Sequence, residues 1–230
     1  MISVVLPTYN EAENIIPLIK QIQNNLKGNK FEIIVVDDNS PDQTGMIARN
    51  IFKGNEKIKI YTRKERGLAG AVLWGLKKAK GPVCAVMDTD FNHDPKNLPI
   101  MIRELSRSDL VVGSRYVSGG GMENRIRNFV SKIYNRMIMF MLHISTSDNL
   151  SGFFLIRKDK LRTLMNIDIF QGYGDYFIRF LYAAEKDGLQ IKEVPVFYKN
   201  RIFGESKTRF FKIFFDYSRT VVQLWKRSLN

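Results

Sequence analysis

Five short, largely β-branched and apolar runs, at positions 2–6, 31–36, 58–62, 83–87 and 110–112, constrain this chain most. They lack the polar alternation of a strand with one wet face, so each is expected to be covered on both sides. Helical patterns of roughly 8–13 residues separate them, the rhythm of βαβ units and of a mostly parallel α/β sheet flanked by helices. Four of the runs end in polar or small clusters: Thr8-Tyr9-Asn10, Asp37-Asp38-Asn39, Asp88-Thr89-Asp90 and Gly113-Ser114-Arg115. Open parallel sheets bind ligands outside the carboxyl ends of their strands, so these clusters are expected to share one site.

A chain of 230 residues with 44% hydrophobic side chains can bury one substantial core, and one main domain is expected. Its apolar start has no basic leader and runs straight into Pro7, which reads as a first strand and not as a signal peptide. The single cysteine, Cys84, allows no internal disulfide and suits the cytosol; its apolar neighbours predict a buried, inert thiol. The longest uninterrupted apolar run, 137–142, falls far short of the roughly 20 residues that cross a bilayer. A net charge of +13 nevertheless demands an anionic partner, whether nucleic acid, a phosphorylated substrate or a lipid surface.

A lone Asp-x-Asp is weak, because average composition gives on the order of one match in a chain of this length. Position strengthens it here: Asp88 and Asp90 follow a buried strand, and the i, i+2 spacing points both carboxylates the same way if strand geometry persists. Adjacent carboxylates repel unless a cation neutralises them, and hard oxygens suit Mg²⁺ or Mn²⁺ bridging a diphosphate. Asn92 could add a neutral oxygen. The alternative is an acidic turn capping the helix after Pro95. Asp38 is a candidate acceptor for ribose or base donors, whereas Asp42 and Thr44 read as a turn and N-cap. His93 is either an acid-base group or part of a turn that fixes the loop, and the second reading is preferred. His143 is expected as a packed or interfacial side chain, and Gly67, Gly70 and Gly75 as sites of close helix packing.

After residue 116 the pattern changes. Ser118-Gly119-Gly120-Gly121 reads as a loop, followed by an amphipathic basic helix over about 123–144, with Arg125, Arg127, Lys132 and Arg136 among Ile126, Phe129, Val130, Ile133 and Met137. Strands are expected over 151–156 and 191–198, a helix near 176–187, and a second basic aromatic helix from about 208. The stretch 199–209 concentrates Lys199, Arg201, Lys207 and Arg209 around Gly204, as in a loop that closes over a diphosphate; a solvated loop is the alternative. Cations carried on amphipathic helices and a phosphate loop, without a stacking sheet or recognition helix, argue against a nucleic-acid binder.

Taken in order, Pro7-Thr8-Tyr9-Asn10-Glu11, Val36 to Asp42, Arg66-Gly67-Leu68, Asp88-Thr89-Asp90, Gly113-Ser114-Arg115-Tyr116, Ser151-Gly152-Phe153-Phe154 and Gly204-Glu205-Ser206-Lys207 resemble the family 2 glycosyltransferases of GT-A fold, a Rossmann-like, mostly parallel sheet. Among them the chain is most similar to the dolichol-phosphate mannosyltransferases. The resemblance implies that Pro7, Tyr9, Glu11, Val36 and Asp38 bind the nucleotide of a nucleotide-sugar donor, GDP-mannose first and UDP-glucose next. It implies Asp88, Asp90 and Asn92 as ligands of Mg²⁺ or Mn²⁺, with Thr89 beside them and Asp90 essential to catalysis. Arg115, Arg201 and Lys207 match donor or acceptor phosphate positions, Arg115 being expected to orient the acceptor phosphate, with Arg127 a looser match. The implied acceptor is a polyprenyl (dolichyl) phosphate, reached from the cytosolic face of a membrane or through a small anchor subunit. A catalytic domain over 1–207 and a basic interfacial helix over 208–230 are expected, as in the short, anchorless members. Gln171-Gly172-Tyr173-Gly174-Asp175 departs from the mannosyltransferase pattern and leaves the sugar open.

Overall fold

The protein is described by a computed structural model over residues 1–199 and 210–228. All five expected strands form: β1 (Ile2–Thr8), β2 (Phe31–Asp37), β3 (Ile58–Thr62), β4 (Val83–Val86) and β5 (Leu110–Ser114). Helices α1 (Ala12–Asn25), α2 (Thr44–Ile51), α3 (Leu68–Lys78) and α4 (Leu98–Glu104) connect them. Strand β6 (Gly121–Met122), α5 (Arg125–Leu142), β7 (Phe154–Arg157), α6 (Lys158–Leu164), α7 (Tyr176–Lys186), β8 (Ile191–Pro195), β9 (Phe197–Tyr198) and α8 (Phe210–Ser228) follow.

Seven strands form one sheet in the order β3-β2-β1-β4-β7-β5-β8. Only β7 is antiparallel to its neighbours, so the carboxyl ends of β1, β2, β4 and β5 share one edge. Every residue of β1 and β2 is buried. Their pleat divides the core in two. Val4, Leu6, Ile33 and Val35 face α1, which contributes Ile15, Leu18 and Ile22. Val5, Ile34 and Val36 face α3, while Phe177 and Phe180 of α7 cover the strands on the same side farther along. Gly75 is required where α3 crosses β1, since a methyl group there would collide with Val5. Cys84 lies at the centre of β4, paired with Ser3 on one side and Ile156 on the other, and is fully buried.

Three expectations change. The segment expected as a strand over 151–156 enters the sheet only at Phe154, because Gly152 turns through φ +73° first. The strand expected over 191–198 breaks at Val196, which moves the chain from β5's edge to a second, two-stranded sheet of β6 and β9. His143 is exposed in the left-handed region at φ 52°, where it ends α5. A third apolar cluster joins Ile138 and Leu142 of α5, Ile178 of α7, and Val221 and Leu224 of α8. No helix among the described residues is long and apolar enough to cross a membrane.

Candidate active site

A cleft of about 270 Å³ opens at the carboxyl edge of the sheet, lined by Pro7, Thr8, Tyr9 and Glu11 after β1, Asp38 after β2, Arg66 to Leu68 before α3, and Asp88 to Asp90 after β4. The first two loops are tied together by their backbones: the Asn10 N–H donates to Ser40 Oγ (3.0 Å), the Glu11 N–H to Thr44 Oγ1 (2.9 Å), and the Ala12 N–H to Asp42 Oδ2 (3.0 Å). Asp42 also accepts the Thr44 N–H at 3.0 Å, the turn-forming role expected of it. Asp37 is spent on Ser40 and Thr8.

Asp38 is different. Its Oδ2 accepts the Gly67 N–H at 2.7 Å, while Oδ1 is buried without a hydrogen-bond partner, 3.4 Å from Arg63 Nε. Burial pushes its carboxyl up, against the lowering influence of Gly67 and Arg63. A buried acceptor oxygen on a cleft wall suits a ligand N–H or O–H. Gly67 therefore serves the cleft and not the expected close helix packing, since a methyl group there would meet nothing within 4 Å. Arg66 lies over the Tyr9 ring, 3.6 Å from its centroid, which gives the cleft a flat cationic wall.

On the other side, Asp90 is 5% exposed and Asp88 presents a side chain 42% exposed. Asp90 accepts the Asn92 backbone N–H at 3.1 Å and the Asn92 side-chain Nδ2 at 2.7 Å. Asn92 thus turns its backbone and side-chain N–H groups back on Asp90 and orients that carboxylate. Among the described residues no three His, Cys, Asp or Glu side chains gather to hold a metal. Two carboxylates facing one cleft still fit a hard divalent cation whose remaining places are filled by diphosphate oxygens and water.

His93 is fully buried and fixes this loop. Its Nδ1 accepts the Asp88 N–H at 2.8 Å, so the proton of the neutral ring sits on Nε2, which faces Tyr198 Oη (2.7 Å) and Ser151 O (3.1 Å). The ring stacks on Phe153 with centroids 4.8 Å apart. Both nitrogens are engaged, Nε2 lying also 3.7 Å from Asp88 Oδ2, which agrees with the loop-fixing reading.

Three expected residues lie elsewhere. Val36 is fully buried in the α3 side of the core, within β2, whereas Asp38 lies past the end of that strand. Arg115, 6% exposed, directs Nε and Nη2 to Asp148 at 2.7 and 2.6 Å, and its backbone N–H to the same carboxylate at 2.9 Å. Burial alone would lower its pKa; Asp148 more than offsets this and keeps the guanidinium charged. Arg127 is exposed in the first turn of α5, and Tyr116 lies within electrostatic range of both arginines. Arg201 and Lys207 lie outside the described residues. Sequence reasoning missed Ala71 and Tyr173 as cleft residues and gave Arg66 no role; only Arg66 carried a signal, in the Arg66-Gly67-Leu68 motif.

The family model described as Glycosyl transferase family 2 matches residues 3–165. The chain is 37% identical to the dolichol-phosphate mannosyltransferase of Pyrococcus furiosus over 98% of its own length, and spans 64% of that protein. It is 31% identical to the undecaprenyl-phosphate mannosyltransferase of Micrococcus luteus, covering 88% of this chain and 85% of that one. The mannosyltransferase of Pyrobaculum calidifontis in complex with GDP-Man and Mn²⁺ superposes with a TM-score of 0.65 at 18% identity, covering 99% of this chain and 64% of that one. The sheet and this likeness give the expected GT-A fold.

Proposed function

The chain belongs to glycosyl transferase family 2, and from that premise we propose that it transfers a hexose, mannose from GDP-mannose first, to a polyprenyl phosphate such as dolichyl phosphate, with inversion at the anomeric carbon. The observation that carries this reading is a single cleft with a buried, unsatisfied acceptor at Asp38 on one side and the Asp88 and Asp90 carboxylates on the other. That spacing of roles suits a nucleoside at one end and a diphosphate at the other.

Asp38 accepts from the nucleoside, and Pro7, Tyr9 and Glu11 shape its side of the cleft. Asp88 and Asp90 hold Mg²⁺ or Mn²⁺, which supplies charge neutralisation for the departing diphosphate. Asn92 orients Asp90, and Arg201 and Lys207 add positive charge to the diphosphate. A phosphate monoester, with a second pKa near 6, is mostly dianionic at neutral pH, so its oxygen attacks without a strong base. A His93 engaged at both nitrogens agrees with this. One oxygen of the acceptor phosphate bonds to the anomeric carbon as the bond to the diphosphate oxygen breaks. Arg127 is the exposed candidate for that acceptor phosphate, Arg115 being committed to Asp148.

The α5 helix supports attachment to the cytosolic surface of an anionic membrane. Ile126, Phe129, Val130, Ile133, Met137 and Phe140 form one exposed stripe, reaching 82% exposure at Phe140, among Arg125, Arg127, Lys132 and Arg136 and with no acidic residue. An anchoring subunit seated on the stripe would serve the same end.

A radiolabelled panel of GDP- and UDP-sugars with polyprenyl phosphate tests the reaction; transfer to soluble sugars but to no lipid phosphate would overturn it. Glucose from UDP-glucose, or a soluble or polymer-linked glycan acceptor, is the second reading. It is favoured by Tyr173, which stands in the cleft on a stretch that departs from the mannosyltransferase pattern.

A further inference from the structure

The stretch 171–175 lies beyond the residues matched by the family model, yet it supplies the Tyr173 wall of the cleft. The C-terminal helix holds it in place. Asp175, 3% exposed, accepts the Tyr173 N–H at 2.8 Å and the Thr220 hydroxyl at 3.0 Å, and pairs with Arg179 Nη1 at 2.7 Å. Arg179 closes the ring by donating Nη2 to Thr220 Oγ1 at 2.7 Å and Nη1 to the Gln171 carbonyl at 3.1 Å. Gly172, at φ +80°, curls over the carboxylate, where a methyl group would lie 2.5 Å from Asp175 Oδ1. A methyl at Gly174 would collide with the Tyr217 hydroxyl of α8.

Tyr217 packs against this loop at Gly174. Burial pushes its phenol well up, and Tyr173, Asp175 and Asp88 add to the effect, so it lies within electrostatic reach of both Tyr173 and Asp88. Tyr173 lines the same cleft as the Asp88 and Asp90 carboxylates assigned above to the diphosphate, next to which the sugar of a donor would lie. A phenol there can exchange hydrogen bonds with sugar hydroxyls and offer a flat face to the sugar ring.

We propose that Tyr173 is a specificity-determining residue that reads the hexose of the donor, and that Thr220 and Tyr217 of α8 are positioning residues that set its place, Thr220 through Asp175 and Tyr217 through its contact at Gly174. The inference rests on the glycosyl-transfer reading above. It makes α8 part of the donor site as well as a carrier of exposed aromatic and basic residues.

Calorimetric binding of GDP, GDP-mannose and GDP-glucose to the full chain with Mn²⁺ tests it, with the UDP series in their place if the transfer panel selects UDP. Tyr173→Ala, on a side chain that is already 45% exposed, is expected to lower the preference between the two hexoses about tenfold and to leave nucleoside diphosphate affinity within about twofold. Thr220→Val is expected to move the same ratio in the same direction by about threefold, and Thr220→Ser, which restores the hydroxyl, to return it. An unchanged ratio in Tyr173→Ala, a wild-type chain with no preference, or a Thr220→Val variant that weakens the nucleoside diphosphate and both hexoses equally would overturn the proposal. Binding does not require turnover. A chain that bound one hexose selectively but transferred none to a lipid phosphate would overturn the function proposed above and leave this inference standing.

Discussion

The cleft edge of the sheet and the face made by α5 and α8 are held together in opposite ways. At the cleft, buried polar groups meet directional partners one by one: Gly67 on Asp38, Asn92 on Asp90, His93 on the Asp88 backbone. On the other face, α5 and α8 join mainly through Ile138, Leu142, Val221 and Leu224, with one hydrogen bond between Tyr134 Oη and Ser218 Oγ at 3.0 Å, and a whole apolar stripe is left exposed. The first arrangement depends on individual atoms, because an unsatisfied buried polar group costs about 1–3 kcal/mol. The second depends on summed apolar area and charge, and should weaken by degrees.

The sharpest way to break that contrast is Asp90→Ala. We expect kcat to fall by roughly 10²–10³-fold and the response to added Mg²⁺ or Mn²⁺ to vanish in a transfer assay. Near-native, metal-dependent transfer would remove the metal site from the cleft.

Asp38→Asn should raise donor KM about tenfold or more while stabilising the fold at neutral pH. Because burial raises the Asp38 pKa, the native state favours the protonated form; stability that is present in acid is lost as pH rises through the raised value. Asparagine abolishes that loss. The melting temperatures of variant and wild type should converge in acid and separate toward neutrality, with the variant higher.

His93→Phe keeps the stacking on Phe153 but removes the acceptor for the Asp88 N–H. Mn²⁺ affinity in the presence of GDP should fall about tenfold, a typical loss for an outer partner of a ligand, while His93→Asn, which can still accept that N–H, should recover part of it. A loss in His93→Asn with none in His93→Phe would show that the ring matters only for packing.

The smallest effect is expected on the other face. Phe140→Asp should weaken binding to anionic vesicles by a few-fold, and adding Ile126→Asp should deepen the loss in proportion, as measured by flotation at two salt concentrations. Loss of all binding from one substitution would mean that the stripe is a specific docking site instead of an interfacial face.

The same contrast explains what could be read from the sequence. Strands β1 to β5 were legible because burial on both faces leaves unbroken apolar runs, and Asp38, Asp88 and Asp90 were legible because they follow those runs directly. Strand β7 was blurred, since its antiparallel place between β4 and β5 is set by partners 42 to 74 residues away and its start by a turn at Gly152. Val36 comes to the nucleotide only through the family resemblance, and its packing with Val5 and Ile34 on the α3 side shows that it points into the core. Arg115 looked available for phosphate because nothing local announces Asp148, 33 residues on. Tyr173 could not be found at all: its place depends on Thr220 and Tyr217, which reach it from another helix.

The lone thiol gives this protein a built-in clock. Cys84 sits in the central strand with its pKa pushed by burial to about 11, so in the native state it is both shielded and almost wholly protonated. A strand paired on both sides exposes such a group only when the sheet itself comes apart. The rate at which an alkylating reagent consumes Cys84 therefore counts whole-domain openings without any added probe, and donor bound in the cleft should slow that count in proportion to how firmly it holds the sheet edge together.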